Sequence, residues 1–148
     1  MSTSDTTTTT TDAANAANAA NAANAAGTSI TSITSITSTI DSHLEAYALA
    51  DPARRAALVA ANWNADGQLF DPPFEGCGHA EICGLTDVVL AHYAGHSFRR
   101  STDVDAHHRF ARYGWELVAP DGTVAVGGTD FVEVDDSGKL LRVVGFFG

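Results

Sequence analysis

Two hydrophobic periods divide the folded part of the chain, and the change from one to the other falls at Gly95. Before it, apolar residues recur every three or four positions. Ile33, Ile36, Ile40, Leu44 and Tyr47 share helical spacing, which predicts a first helix running to about Ala50. It begins either near Asp41 or, carried by the isoleucines, further back, because the intervening Ser and Thr are mediocre helix formers. Asp51-Pro52 supplies an N-cap followed by proline at the first helical position and opens a second helix through Ala56, Leu58, Val59 and Trp63. Gln68-Leu69-Phe70 reads as a short strand ended by Pro72-Pro73, since neither proline can donate to a ladder. Gly76 and Gly78 mark a loop. A third helix, about His79 to Ala94, places Ile82, Leu85, Val89 and Tyr93 on one face, and Gly95 closes it.

After Gly95 the period becomes two. Strands are predicted at about 97–108, 109–118, 123–134 and 139–147, with Ala119-Pro-Asp-Gly122 and Asp135-Asp-Ser-Gly138 as turns. Helices first and a run of antiparallel strands afterwards is an α+β pattern. It predicts a curved antiparallel sheet covered on one face by three helices, a cone able to enclose an apolar pocket. Residues 31–148 form this one domain. Residues 1–30 carry Asn-Ala-Ala repeats, and Ser-Ile-Thr repeats follow into the first helix. A period of three is low complexity and not a solenoid, so no fixed structure is expected before about residue 30.

Charge narrows the function classes. The chain of 148 residues has a formal net charge of −10, and all eight Lys and Arg lie after position 40. Without clustered cations the counterion release that drives phosphate binding has no source, so neither nucleic acid nor an anionic membrane is expected as a partner. The start lacks a basic and apolar leader, and no stretch approaches the roughly 18 continuous apolar residues of a span. These features predict a cytoplasmic protein. Cys77 and Cys83 are expected to be free thiols, and no metal site is expected. His92 and His96 are four apart, but Gly95 interrupts the helix that would align them.

Thr123-Val-Ala-Val-Gly-Gly-Thr-Asp-Phe-Val-Glu-Val134 carries the sharpest chemical signal. Its even positions, Val124, Val126, Gly128, Asp130, Val132 and Val134, form an apolar face with one acid in the middle. An ionised carboxylate there is costly, so either the valine face is solvent-exposed, or Asp130 pairs with Arg109 or Arg112 across the sheet, or it lines a cavity with a raised pKa. Asp71 ends a strand between Phe70 and Pro72. It is either a general base beside an apolar pocket or the start of an Asx-type turn. His107 and His108 are adjacent in a strand and point to opposite faces, so at most one faces the cavity. Cys77-Gly-His79 has no orienting acid and is a poor nucleophile candidate.

The order of elements, the stretch Asp66-Gly-Gln-Leu-Phe-Asp-Pro-Pro-Phe-Glu-Gly76 and the ending from Asp130 to Gly148 resemble the nuclear transport factor 2-like superfamily. Within it, the SnoaL-like and ketosteroid isomerase-like branch is the nearest likeness, covering about residues 38–148. The resemblance implies a general base at Asp71 and a protonated oxyanion-hole acid at Asp130. Where the isomerase has a tyrosine in its first helix, this chain has His43, with Tyr47 one turn later on the same side. Epoxide hydrolases of the superfamily carry an acid before the last aromatic pair, where this chain has Gly145.

The ligand expected is a hydrophobic carbonyl compound, polyketide, terpenoid or steroid-like. It would be held by His43, Tyr47, Phe74, Tyr113, Trp115, Val132 and Phe147. Proton abstraction α to the carbonyl would serve isomerisation or cyclisation and needs no cofactor. The other reading is a non-catalytic ligand-binding or dimerisation module of the same fold. The resemblance also implies a homodimer through the outer face of the sheet.

Overall fold

In the computed structural model, which describes residues 32–148, helix α1 (Ile33–Ala46) starts where the isoleucines place it. Ile36, Ile40 and Leu44 lie one turn apart and are 1%, 0% and 5% exposed, so burial overrides the weak propensity of the Ser and Thr between them. Ser32 caps the helix by accepting from the Ser35 amide. The repeat tail of residues 1–30 lies outside the described residues.

The helix ends at Ala46 and not near Ala50, because the carbonyls of Leu49 and Ala50 turn to accept from the Arg55 guanidinium. Arg55 is itself buried and paired with Asp87. Helix α2 (Pro52–Asn62) opens as expected, with Asp51 accepting from the Ala53 and Arg54 amides and proline in its first turn. Helix α3 (Gly78–His92) begins at Gly78, whose φ of 77° suits glycine. Glu81 reaches back to accept from the Cys77 amide.

Seven strands among the described residues form one mixed sheet. They are β1 (Trp63–Asp71), β2 (Phe74–Cys77), β3 (Ser97–Arg100), β4 (Asp105–His107), β5 (Phe110–Val118), β6 (Val124–Val134) and β7 (Leu140–Phe147). The order is β2-β1-β7-β6-β5-β3, with β4 also pairing β5. All pairings are antiparallel except β1 with β7. That parallel junction brings the early strand beside the last one and makes the sheet mixed where alternation alone predicts only antiparallel neighbours.

Three segments differ from the sequence expectation. Strand β1 begins at Trp63, which helical spacing places in the second helix, and not at Gln68. The loop at Gly76 is strand β2, a hairpin partner of β1 in which Gly76 faces Leu69. Leu85 of α3 stands over Gly76, 3.0 Å from where a Cβ would be, so glycine there admits the helix and does not break the strand. The segment 97–108 is two strands and not one. Between them Ser101 and Thr102 fold onto Gly114, where the Ser101 amide donates to the Gly114 carbonyl and Thr102 Oγ1 accepts from the Gly114 amide. A side chain at 114 would collide with both residues.

The α1 stripe joins Trp63, Leu69, Trp115, Val132, Leu140 and Val143 in one buried core. Each fully buried aliphatic side chain here contributes about 1.5–3 kcal/mol. Towards the end of α1 this core opens into a cavity.

Candidate active site

Sheet register assembles the site in one transverse row. On the inner face Tyr113 of β5 faces Asp130 of β6, and Asp130 faces Gly145 of β7. Residues directly opposite one another in an antiparallel pair point to the same side. The β1 to β7 register, Leu69 with Val143 and Phe70 with Val144, brings Asp71 beside Gly145 at the next step. A Cβ placed on Gly145 would stand 2.5 Å from Asp71 Oδ1 and 3.2 Å from Asp130 Oδ1, so those two oxygens are at most 5.7 Å apart, the sum of the two distances. The absence of a side chain at 145 is what lets the two carboxylates share one space.

The adjacent row sets the partner of Asp130. Trp115 faces Gly128 and Gly128 faces Phe147. A Cβ on Gly128 would lie 2.7 Å from Trp115 Cζ2, so this glycine admits the indole. Trp115 Nε1 then donates to Asp130 Oδ1 at 2.7 Å, and the Tyr113 hydroxyl donates to Oδ2 at 2.8 Å. Asp130 is therefore a hydrogen-bond acceptor on both oxygens. The cross-strand arginines do not reach it: Arg109 pairs with Glu133 and Arg112 with Asp105. Burial pushes Asp130 up to about 6, with the Asp71 charge adding to the rise and the Tyr113 and Trp115 bonds opposing it.

Asp71 is in a different environment. Its Oδ1 is buried without a hydrogen-bond partner among the described residues, and burial raises its pKa above the ordinary carboxylate value. The lone pairs of Oδ1 are left without a donor and are free to take a proton from a ligand.

Both acids line a cavity of about 110 Å³ together with His43, Tyr47, Phe74, Phe98, Trp115 and Phe147. Tyr47, Phe98, Trp115 and Phe147 form a continuous aromatic wall, with successive ring centroids 5.1, 5.3 and 5.7 Å apart. Burial and the charges of Asp71 and Asp130 raise the Tyr47 pKa, so its phenol stays protonated. Among the described residues no Lys or Arg lines the cavity.

Tyr113 and Val132, expected on the pocket wall, do not reach it. Tyr113 lies behind Asp130, 2% exposed, and Val132 is 3% exposed in the core further along β6. Alternation gives the face of a residue but not its depth. Leu44, Leu69, Val89, Tyr93, Leu117, Val126 and Val143 also line the cavity. Their inward parity on the helices and strands was the available signal. Phe110 is exposed on the outer face.

The remaining candidates lie elsewhere. His107 and His108 are exposed and meet each other, His108 in a turn with φ of 55°, so neither faces the cavity. The ring nitrogens of His92 and His96 bond nearby carbonyls. Cys77 is exposed and Cys83 half-buried, both unpaired. Among the described residues no three His, Cys, Asp or Glu side chains are grouped as metal ligands. No helix among them is long and apolar enough to cross a membrane.

No protein-family model and no curated protein matches the chain. Solved structures do. A SnoaL-like protein from Agrobacterium tumefaciens str. C58, provisionally assigned as an isomerase, is 30% identical with a TM-score of 0.73, over 78% of this chain and 98% of its own. A SnoaL-like protein from Jannaschia sp. CCS1, provisionally assigned as a polyketide cyclase, has 12% identity and a TM-score of 0.62, over 77% and 85%. A protein of ketosteroid isomerase-like fold from Catenulispora acidiphila DSM 44928, in complex with trimethylamine, has 12% identity and a TM-score of 0.61, over 74% and 85%. The last two likenesses concern the fold, whereas the first spans nearly the whole of a relative at family-level identity. The chain belongs to the SnoaL-like family of the nuclear transport factor 2-like superfamily.

Proposed function

We propose that the protein takes a hydrophobic carbonyl compound, polyketide, terpenoid or steroid-like, into the cavity and removes a proton α to the carbonyl, as an isomerase or cyclase. One observation carries this reading: two carboxylates within 5.7 Å flank Gly145 in one aromatic cavity, one without a hydrogen-bond partner and the other held by two donors. Asp71 is the base. Asp130, partly protonated near neutral pH, is the acid that supplies a proton or hydrogen bond to the enolate oxygen. Deuterium wash-in α to the carbonyl of 2-tetralone, followed by NMR, tests it. The protein should accelerate exchange, and Asp71→Asn should remove at least about 100-fold of that acceleration. No acceleration by the intact protein would contradict the reading.

A second reading, a non-catalytic pocket for a small ammonium cation, is favoured by the same acids in an aromatic wall with no cationic residue. The trimethylamine complex of the Catenulispora acidiphila protein is consistent with it. Tight trimethylammonium binding without ketone exchange would select that reading. We also infer a homodimer through the outer face of β5, β6 and β7. Phe110, Phe131 and Phe146 are exposed there among charges of both signs, Arg112, Arg142, Glu116 and Glu133.

A further inference from the structure

His43 has a fixed proton position. Its Nδ1 lies 3.2 Å from Trp63 Nε1 in a buried contact, and Trp63 is 1% exposed. An indole N–H can only donate, so Nδ1 must be the unprotonated acceptor. Burial holds the imidazole near a pKa of about 4, hence neutral at pH 7, and a neutral ring with a bare Nδ1 carries its proton on Nε2. Tyr47 and Trp63 meet the ring edge-on at 5.3 and 5.2 Å and restrict its rotation. His43 lines the cavity, and no described residue accepts from Nε2.

The other polar groups of the cavity make this proton useful. Asp71 and Asp130 repel an anionic ligand, and no lysine or arginine offsets them. The cavity therefore favours an uncharged oxygen acceptor, to which a neutral N–H can donate. We propose that His43, locked by Trp63 as the Nε2–H tautomer, donates to the carbonyl oxygen of the ligand, and that Trp63 is its positioning residue. The site then takes ketones in preference to carboxylates of the same skeleton. This rests on the carbonyl reading of the cavity.

The test uses the full chain labelled with nitrogen-15 histidine and long-range proton–nitrogen NMR between pH 6 and 8, with 2-tetralone as probe and tetralin-2-carboxylate as its anionic counterpart. The expected spectrum has a bare Nδ1 and a protonated Nε2 at His43, and 2-tetralone shifts Nε2. His43→Phe should weaken 2-tetralone binding about tenfold, and His43→Gln, which still donates, by under about threefold. Trp63→Phe should give mixed tautomers, a change that loss of packing alone does not produce. A protonated Nδ1 in the native chain overturns the proposal. So does 2-tetralone binding with Nε2 unmoved, or carboxylate binding as tight as ketone. If His43→Phe does not fold, the Nε2 shift in the native chain decides. Failure of 2-tetralone to bind while the tautomer is as stated identifies the carbonyl reading as what failed, and the donor role falls with it.

Discussion

Asp130 and His43 respond to acid with opposite signs. The Asp130 pKa is raised to about 6, so its burial costs stability wherever the unfolded chain has ionised it: fully above pH 6, and not at all below the ordinary carboxylate range near 4. The His43 pKa is lowered to about 4, so its contribution is full above pH 6.5 and is lost as pH falls towards 4. In the native protein the two largely offset each other. Asp130→Asn removes one of them. Its amide oxygen can accept from Trp115 while its NH2 donates to the Tyr113 hydroxyl, which can reverse its bond. The variant should be more stable than the native chain by up to about 3 kcal/mol above pH 6, and equal to it below pH 4. Denaturant titrations at pH 4, 5.5 and 7.5 check this, and a destabilised Asp130→Asn at pH 7.5 would contradict it.

At the scale of elements, the site depends on β1, β6 and β7 meeting at a residue with no side chain. Gly145→Ala places a Cβ 2.5 Å from Asp71 Oδ1 and 3.2 Å from Asp130 Oδ1. It should cost about 1–3 kcal/mol and displace Asp71. Ketone exchange should fall more than stability does, since the fold can yield where the carboxylate geometry cannot. Much of this was legible in sequence. The valines at the even positions of 124–134 place Asp130 on the inner face. Asp51-Pro52 marks the start of α2, and Pro72-Pro73 marks where Asp71 ends β1. The parallel pairing of β1 with β7 was not legible, because the partners are some seventy residues apart and local pattern carries no information about which distant edges join. The early end of α1 was equally hidden, as it follows from Arg55 turning inward to Asp87.

On the scale of the whole molecule, the exposed phenylalanines of the outer face predict association. Light scattering at micromolar concentration should give about twice the chain mass, and Phe131→Glu, beside Phe146 at 6.1 Å, should return it to a monomer. The account as a whole stands on the two carboxylates sharing one cavity, and their carbon-13 carboxyl titration tests that most directly. In the ligand-free native chain Asp130 should titrate at about 6 and Asp71 above the ordinary carboxylate range. Asp71→Asn should lower the Asp130 value by removing a neighbouring charge. Ordinary values for both acids, or an Asp130 titration unmoved by Asp71→Asn, would contradict it.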